Sequence, residues 1–272
     1  MNNIEVVAEI GINHNGDLDI TKKLIDVAVS AGCDYVKFQK RTIGAVYSKA
    51  ELEKPRDSKW GTTTRAQKEG LEFGELEYLV IDEYCKNRIQ WFASPWDIVS
   101  LDFLSSFGVP FIKIPSAKLT NIELISAVSP KQPFIISTGG CTLEQIDKAV
   151  ETIGQDRIYC IMHCTMTYPT KPDEININAI HTLKDRYPWA RIGFSNHYPG
   201  IQAMNLAMAH GAEMLEFHLT LDRSSEGSDQ AASIEPSGVF DLMNKIKLTK
   251  QMMGDGNKVI YDSELPIIRK LR

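Results

Sequence analysis

The feature that most constrains the fold is a regular alternation of short apolar runs and amphipathic stretches along the 272 residues. Helical spacing or capping signals mark most of the stretches between the runs. Eight strands alternating with helices predict an α/β fold, a (β/α)8 TIM barrel. An open doubly wound sheet is the alternative, but no GxGxxG motif follows the first run. The predicted strands are Val6–Ile10, Tyr35–Phe38, Ile89–Ala93, Pro110–Ile114, Phe134–Ser137, Ile158–Met162, Ala190–His197 and Ala212–His218.

One barrel domain over residues 1–272 agrees with the usual size of this fold. A long polar segment interrupts the alternation at about residues 41–74, and segments of that length inside compact domains are usually functional covers or disordered. Its tryptophan, Trp60, and its mixed charges favour a lid. The net charge of −5 comes without a basic stripe, which argues against nucleic acid as a partner.

The cysteines and the amino terminus bear on the compartment. Five cysteines, an odd number without a CxxC pair, indicate reduced thiols in a reducing environment. The first residues show neither a basic region nor an apolar leader, and no apolar run reaches the roughly 18 residues of a membrane span. These features predict a cytoplasmic protein without a membrane partner.

Two of the predicted strands end at a histidine, His197 and His218. The carboxyl ends of neighbouring barrel strands open into one mouth, where the chemistry of this fold is found. Imidazole is the commonest protein ligand of metal ions, so the pair predicts a divalent metal site. The alternative is that each histidine is a hydrogen-bonded core or rim residue.

Lys37 and Lys113 each interrupt an apolar strand, where an unpaired ammonium group is costly to bury. With the neighbouring hydroxyls and the amides at 139–140, they predict a receptor for a small phosphorylated or carboxylated anion. Two alternatives stay open: buried salt bridges to Glu9 or Glu216, and an aldolase-type Schiff base on a desolvated lysine. The polar residues at the strand ends are Glu9, Lys37, Gln39, Ser94, Lys113, Ser116, Ser137, Thr138, Thr165, Ser195, His197, Glu216 and His218.

The amino-acid sequence at the strand ends resembles that of the catalytic barrel of the sialic acid (N-acetylneuraminate) synthase family. The resemblance runs through nearly the whole chain in order, and many motifs together make it specific. The motifs are Glu9-Ile-Gly-Ile-Asn-His-Asn-Gly16, Val36-Lys-Phe-Gln39, Lys113-Ile-Pro-Ser116, Ser137-Thr-Gly139, His163-Cys-Thr165, Tyr168-Pro169, Ser195-Asn-His197, and His218 followed by Asp229.

The resemblance implies an enzyme, a transferase of nonulosonic acid biosynthesis that condenses phosphoenolpyruvate with an aldose such as N-acetylmannosamine. Carbon–oxygen cleavage then releases phosphate. The cofactor implied is Mn2+, or Mg2+ or Co2+, held by His197 and His218. Catalytic candidates are Glu9, Asp229 and Lys113. The substrate-binding residues implied are Lys37, Gln39, Ser116, Ser137, Tyr168 and Ser195, in addition to Lys113.

Two other functions remain as alternatives. One is a catalytically idle barrel that binds a sugar acid or a partner protein. The other is a related 3-deoxy-2-ketoaldonate synthase that uses a phosphorylated aldose and therefore needs a further phosphate site. The family and the frequency of symmetric pairing among soluble proteins suggest a homodimer.

Three departures from the family pattern bear on the acceptor sugar. Lys118 stands where the family commonly has a glutamate, and Met166 replaces the usual asparagine. The family's carboxyl-terminal antifreeze-like domain, which lends an arginine to the partner subunit's site, has no counterpart in these residues. Either Arg41, Arg56 or Arg65 of the long segment takes over that role, or a separate subunit does, or the acceptor needs no such contact.

Overall fold

Eight parallel strands close into a barrel in the computed structural model, which describes residues 4–272. The order around the barrel is β1-β10-β9-β8-β7-β6-β5-β2, and an antiparallel pair, β3 and β4, lies apart from it. The predicted TIM barrel is therefore confirmed. The strands are β1 Glu5–Gly11, β2 Tyr35–Lys40, β3 Pro55–Ser58, β4 Gly61–Thr63, β5 Gln90–Pro95, β6 Ile112–Ile114, β7 Phe134–Ser137, β8 Ile158–His163, β9 Ile192–Asn196 and β10 Met214–His218.

Several helices begin at residues whose side chains accept hydrogen bonds from free backbone amides. Asp17 caps α1 in this way, and Thr142 and Gln145 form a capping box at the start of α8. None of the helices within residues 4–272 is long and apolar enough to cross a membrane. The helices are α1 Leu18–Ala31, α2 Ile43–Val46, α3 Lys49–Leu52, α4 Thr64–Leu71, α5 Glu75–Cys85, α6 Ile98–Ser105, α7 Ile122–Ala127, α8 Leu143–Ile153, α9 Ala179–Arg186, α10 Gln202–Ala209, α11 Pro236–Met253 and α12 Leu265–Leu271.

The segment at 41–74 is more ordered than its polar composition suggested. It contains three short helices, α2 to α4, and the β3–β4 hairpin. Ser48 and Thr63 cap two of these helices, which explains why polar residues form them. The segment borders a small cavity together with residues 226–228, which lie beyond β10, so it sits beside the mouth of the barrel.

Helix α7 was not predicted. It has only six residues, so apolar periodicity over such a length carries little signal. The side chain of Asn121 accepts a hydrogen bond from the amide of Leu124 and thereby starts the helix. The amino-terminal residues Met1–Asn3, which contributed to the prediction of a leaderless chain, lie outside the described residues.

Strand register brings the polar residues together. Glu9 of β1 pairs with Lys37 on one side and with His218 on the other, and Glu216 pairs with Ser195. Side chains at paired positions of parallel neighbours point to the same side of a sheet, and in a closed barrel one side is the interior. The carboxyl-terminal end of the barrel interior is therefore polar, while its flanks are packed with apolar side chains.

Candidate active site

Two lysines and two glutamates form an ion-pair network at the base of the mouth. Lys37 Nζ lies 2.9 Å from Glu9 Oε2 and 3.7 Å from Glu216 Oε1. Lys113 Nζ donates to both oxygens of Glu216 at 3.0 Å. All four side chains are buried. The salt bridges that the sequence left open as an alternative are thus present, and we call these four residues the lysine–glutamate network.

The network shifts the pKa values of its members in opposite senses. Burial opposes the charge of Lys37, but the carboxylates of Glu216 and Glu9 outweigh it and raise the pKa of that lysine. At Lys113 burial dominates and lowers the pKa, and the like charge of Lys37 adds to it. Burial also works against a charge on Glu216, yet Lys113 and Lys37 lower the pKa of its carboxyl group to about 2. Glu216 is therefore the fixed negative centre of the network.

Hydroxyl groups surround the lysines. Ser195 Oγ donates to Glu216 Oε1 at 3.1 Å, and Ser94 Oγ lies 3.4 Å from Lys37 Nζ. Ser116 Oγ accepts a hydrogen bond from the amide of Gly139 at 3.0 Å. Ser137 Oγ is buried without a hydrogen-bond partner. A buried hydroxyl without a partner is costly, so Ser137 marks a position where a ligand atom fits.

The two strand-end histidines face each other, with ring centroids 5.4 Å apart. His197 Nδ1 lies 2.6 Å from the carbonyl oxygen of Thr165, so this nitrogen carries the proton and Nε2 presents its lone pair. Burial and the neighbouring His218 lower the pKa of His197 to about 3, which keeps its ring neutral. His218 Nδ1 is buried without a hydrogen bond, 3.5 Å from Asp229 Oδ2.

These imidazoles fit a divalent metal with open coordination positions. A metal ligand must be neutral imidazole, and the backbone contact of His197 is the kind of hydrogen bond that orients such a ligand. Within residues 4–272 no group of three or more histidine, cysteine or acidic side chains converges on one point. The residues could therefore supply two protein ligands and would leave the remaining positions to substrate and water.

The other predicted residues border the same space. Tyr168 OH lies 3.0 Å from His197 Nε2, and Gln39 Nε2 donates to Glu9 Oε1 at 2.6 Å. Asp229 stands beside His218 but outside the cavity lining. The cavity has a volume of about 150 Å³, which suits a small ligand, and is lined by Glu9, Lys37, Gln39, Ser94, Trp96, Lys113, Pro115, Ser116, Ala117, Ser137, Met166, Tyr168, Ser195, His197, Glu216 and His218.

Other polar residues of the motifs have structural contacts instead. His14 stacks on Phe73 with ring centroids 4.1 Å apart, and burial lowers its pKa to about 3. His163 Nε2 contacts the carbonyl oxygen of Ile175 at 2.8 Å. Thr138 Oγ1 donates to the carbonyl oxygen of Met162. These residues shape the loops that carry the site.

Sequence reasoning missed the role of Trp96, whose indole lines the cavity. The Arg41 guanidinium lies over this ring at 4.2 Å, and Lys118 Nζ lies 5.7 Å from the ring centroid. Aromatic residues beside cations at strand ends are the available sequence signal. Arg41 is one of the three arginines suggested for contact with the acceptor. It therefore contacts a residue that lines the cavity, Trp96.

Known proteins resemble this chain over most of its length. The NeuB family matches residues 24–258. The N-acetylneuraminate-9-phosphate synthase of Drosophila melanogaster is 35% identical over 100% of this chain and 81% of its own length. The N,N'-diacetyllegionaminic acid synthase of Legionella pneumophila is 34% identical over 96% of this chain and 76% of its own length.

A solved structure shares the fold over nearly the full chain. The N-acetylneuraminic acid (sialic acid) synthetase from Leptospira borgpetersenii superposes with a TM-score of 0.85 and 30% sequence identity, covering 99% of this chain and 91% of that one. The family match and the identities over almost all of the sequence establish the relationship. This chain belongs to the NeuB family.

Proposed function

We propose that this protein condenses phosphoenolpyruvate with an aldose to form a nonulosonic acid and inorganic phosphate, with the help of a divalent metal ion. The observation that carries the proposal is the cavity at the carboxyl end of the barrel, where the lysine–glutamate network meets two facing imidazoles. Membership of the NeuB family and the activities of the named synthases among its relatives support the same chemistry. An idle barrel has no use for this combination.

Phosphoenolpyruvate binds above the lysine–glutamate network in this proposal. Lys37 and Lys113 supply the positive charge for its carboxylate and phosphate, and the hydroxyl groups of Ser116, Ser137 and Ser195 supply hydrogen bonds. The two glutamates offset the lysine charges before the ligand arrives. Charged donors in a buried site bind an anion strongly because water does not compete with them.

His197 and His218 are the residues that hold the metal ion, for which Mn2+ is the first candidate and Mg2+ or Co2+ the others. When bound, the ion polarises the carbonyl of the open-chain aldose. The side chain of Tyr168 stacks on His197 with ring centroids 4.1 Å apart and limits the movement of this ligand. Its hydroxyl group donates to His197 Nε2, so this hydrogen bond would be exchanged for the bond to the metal ion.

The reaction then follows from the positions of the protein groups. Carbon 3 of the enol attacks the aldehyde carbon. The electron pair of the enol double bond forms the new carbon–carbon bond, and the π pair of the carbonyl moves to its oxygen, which becomes a hydroxyl group by taking up the proton that the attacking water gives up through the base. Carbon 2 becomes an oxocarbenium centre, to which water adds as it loses a proton to a carboxylate. Glu9 and Asp229 are the candidate bases, and Glu9 lies nearer the network. Phosphate leaves with its bridging oxygen, and a 2-keto acid remains.

The test is phosphate release from phosphoenolpyruvate labelled with oxygen-18 at the bridging position, in the presence of Mn2+ and a panel of aldoses. The panel contains N-acetylmannosamine, its 6-phosphate and the corresponding uronate, diacetamido-trideoxyhexoses, mannose and phosphorylated pentoses. We expect release that requires both the metal and one aldose, with the label in the phosphate. Label retained in the organic product, or release that no aldose stimulates, would overturn the proposal.

A second test separates the metal site from the fold. His218→Ala should lower metal-dependent turnover by more than about 100-fold, since the metal contributes several kcal/mol of transition-state stabilisation. Calorimetric titration with Mn2+ should show the same loss of binding. His181→Ala is the matched control, because His181 is exposed and contacts only His210 among the described histidines. Equal activity of the two variants would contradict the metal assignment.

A further inference from the structure

Three side chains at one edge of the mouth have donor groups without acceptors. They are Arg41, which follows β2, Trp96, which follows β5, and Lys118, which lies after β6, and we call them the rim cluster. Arg41 is only 9% exposed, yet its Nε has no hydrogen-bond partner. The indole Nε1 of Trp96 is also buried and unpartnered. The cluster therefore contains buried donors that the protein itself does not satisfy.

The rim cluster carries two positive charges that no carboxylate balances. Among residues 4–272, the Arg41 guanidinium and the Lys118 ammonium group have no ion-pair partner, and both lie over the indole of Trp96. The nearby Glu72 pairs with Lys40 at 3.0 Å and accepts from the backbone amide of Arg41. The Arg41 side chain donates to Gln39 Oε1, a neutral acceptor that lines the cavity.

Cation–π stacking explains where the charges lie but not why their donors are left open. Stacking on Trp96 holds the guanidinium plane of Arg41 in place and uses no N–H group. A purely structural cluster on a half-buried surface normally contains an acid that accepts from these donors. The missing acceptor is therefore best supplied by a ligand that carries negative charge.

The rim cluster also lies across the mouth from the histidines. In the closed strand order, β5 is opposite β9 and β6 is opposite β10. His197 and His218 close β9 and β10, whereas Trp96 and Lys118 follow β5 and β6. An aldose whose carbonyl end is held at the histidines would therefore point its far end towards Trp96, the residue of the rim cluster that lines the cavity.

We propose that the rim cluster is an anion subsite and that the acceptor is an aldose with a negatively charged group, a phosphate or a carboxylate, at the end remote from its carbonyl. This inference rests on the proposed function for the orientation of the aldose. Lys118 and Arg41 bind the charge, and Trp96 Nε1 donates one hydrogen bond to it. The further phosphate site that the sequence did not reveal is thus assigned to residues that are far apart in the chain.

The experiment compares three acceptors that differ at one position: N-acetylmannosamine, its 6-phosphate and the corresponding uronate. We expect kcat/KM to be at least about tenfold higher for an anionic acceptor than for the neutral sugar, as for a charge-assisted hydrogen bond. Preference for the phosphate or for the carboxylate identifies the group, and equal preference for both also supports the subsite. No preference over the neutral sugar would overturn it.

Lys118→Met removes the charge and keeps the length of the side chain. The ratio of kcat/KM between the anionic and the neutral acceptor should fall about tenfold in this variant, and the wild-type ratio should fall with added salt. Lys131→Met is the control, because Lys131 is exposed just before β7, at the amino-terminal end of the barrel strands. An unchanged ratio in Lys118→Met would contradict the subsite.

Calorimetry keeps the subsite testable if the proposed function fails. Titration of the wild type and of Lys118→Met with the 6-phosphate and with the neutral sugar measures binding without turnover. If no acceptor stimulates phosphate release but the 6-phosphate binds more tightly than the neutral sugar, and does so only with Lys118 present, the synthase proposal fails and the subsite stands. Equal binding of the two sugars would overturn the subsite proposal and leave the synthase proposal unaffected.

Discussion

The lysine–glutamate network and the rim cluster each contribute two cationic side chains to one mouth, but they balance charge differently. In the network, Lys37 and Lys113 have carboxylate partners within 2.9 to 3.7 Å. In the rim cluster, Arg41 and Lys118 stack on an indole and have no such partner among residues 4–272. The deeper charges are paired, and the shallower ones are open.

The difference follows from depth. A charge at the base of the barrel must be paired, because burying an isolated ammonium group costs far more than a fold can offset. At the rim, Lys118 is partly exposed and keeps part of its hydration, whereas the buried Arg41 is held by the indole of Trp96 and the neutral acceptor Gln39 Oε1, so its charge stays open for a ligand. We infer that the base of the mouth serves the step common to the family, whereas the rim selects the acceptor. The predictions below test this division.

The largest effect is expected at the base. Lys113→Met should lower the free energy of unfolding by about 3–5 kcal/mol, because it leaves Glu216 buried with only the more distant Lys37 to balance it. Urea denaturation measures the loss. The double variant Lys113→Met/Glu216→Gln removes both charges and should recover most of the stability without recovering phosphoenolpyruvate turnover. Wild-type stability in the single variant would show that the pair is not formed.

Acid should weaken the same network. The folded-state pKa of Glu216 is about 2, below its usual value of 4.5, so its contribution is complete above pH 4.5 and is lost as the pH falls towards 2. The shift corresponds to up to about 3 kcal/mol. Urea denaturation of the wild type from pH 5 to pH 2.5, compared with the double variant, isolates this group. Parallel curves for the two proteins would contradict the assigned pKa.

Sequence patterns were sufficient to predict the barrel, because each strand and most helices have a pattern of their own within a short stretch of sequence. Apolar runs and caps identified the eight strands, and the ends of the strands identified the two histidines and the two lysines. The salt bridges stood only as an alternative, since Lys113 and Glu216 are 103 residues apart and their pairing depends on barrel closure. The contact of Arg41 with Trp96 depends on the same closure.

The segment at 41–74 and helix α7 show the limit of local patterns in a different way. Their helices have between four and eight residues, and three of them are started by single polar caps, Ser48, Thr63 and Asn121. Apolar periodicity needs a longer window to distinguish a helix from a loop. The open donors of the rim cluster had no local signal either, because a missing acceptor is visible only in three dimensions.

Ser137 tests ligand binding at the base with a smaller effect. Ser137→Ala should raise the KM for phosphoenolpyruvate about tenfold through the loss of a hydrogen bond to a charged group. The melting temperature should stay the same or rise, because the hydroxyl group has no partner in the free protein. Thr138→Val is the opposite case: its hydroxyl group donates to Met162, so stability should fall with little change in KM. A drop in stability in Ser137→Ala would point to an internal partner.

The smallest effect is expected at the rim, from a single N–H group. Trp96→Phe keeps an aromatic ring for Arg41 and Lys118 to stack on and removes only the unpartnered Nε1 donor. The preference for an anionic over a neutral acceptor should fall about threefold to tenfold, the range of one hydrogen bond to a charged group. Trp189→Phe is the control, since Trp189 is 39% exposed and lies between α9 and β9, away from the mouth. If Trp96→Phe instead impairs both acceptors equally, the indole acts as a wall of the cavity, and acceptor selection rests on Arg41 and Lys118 alone.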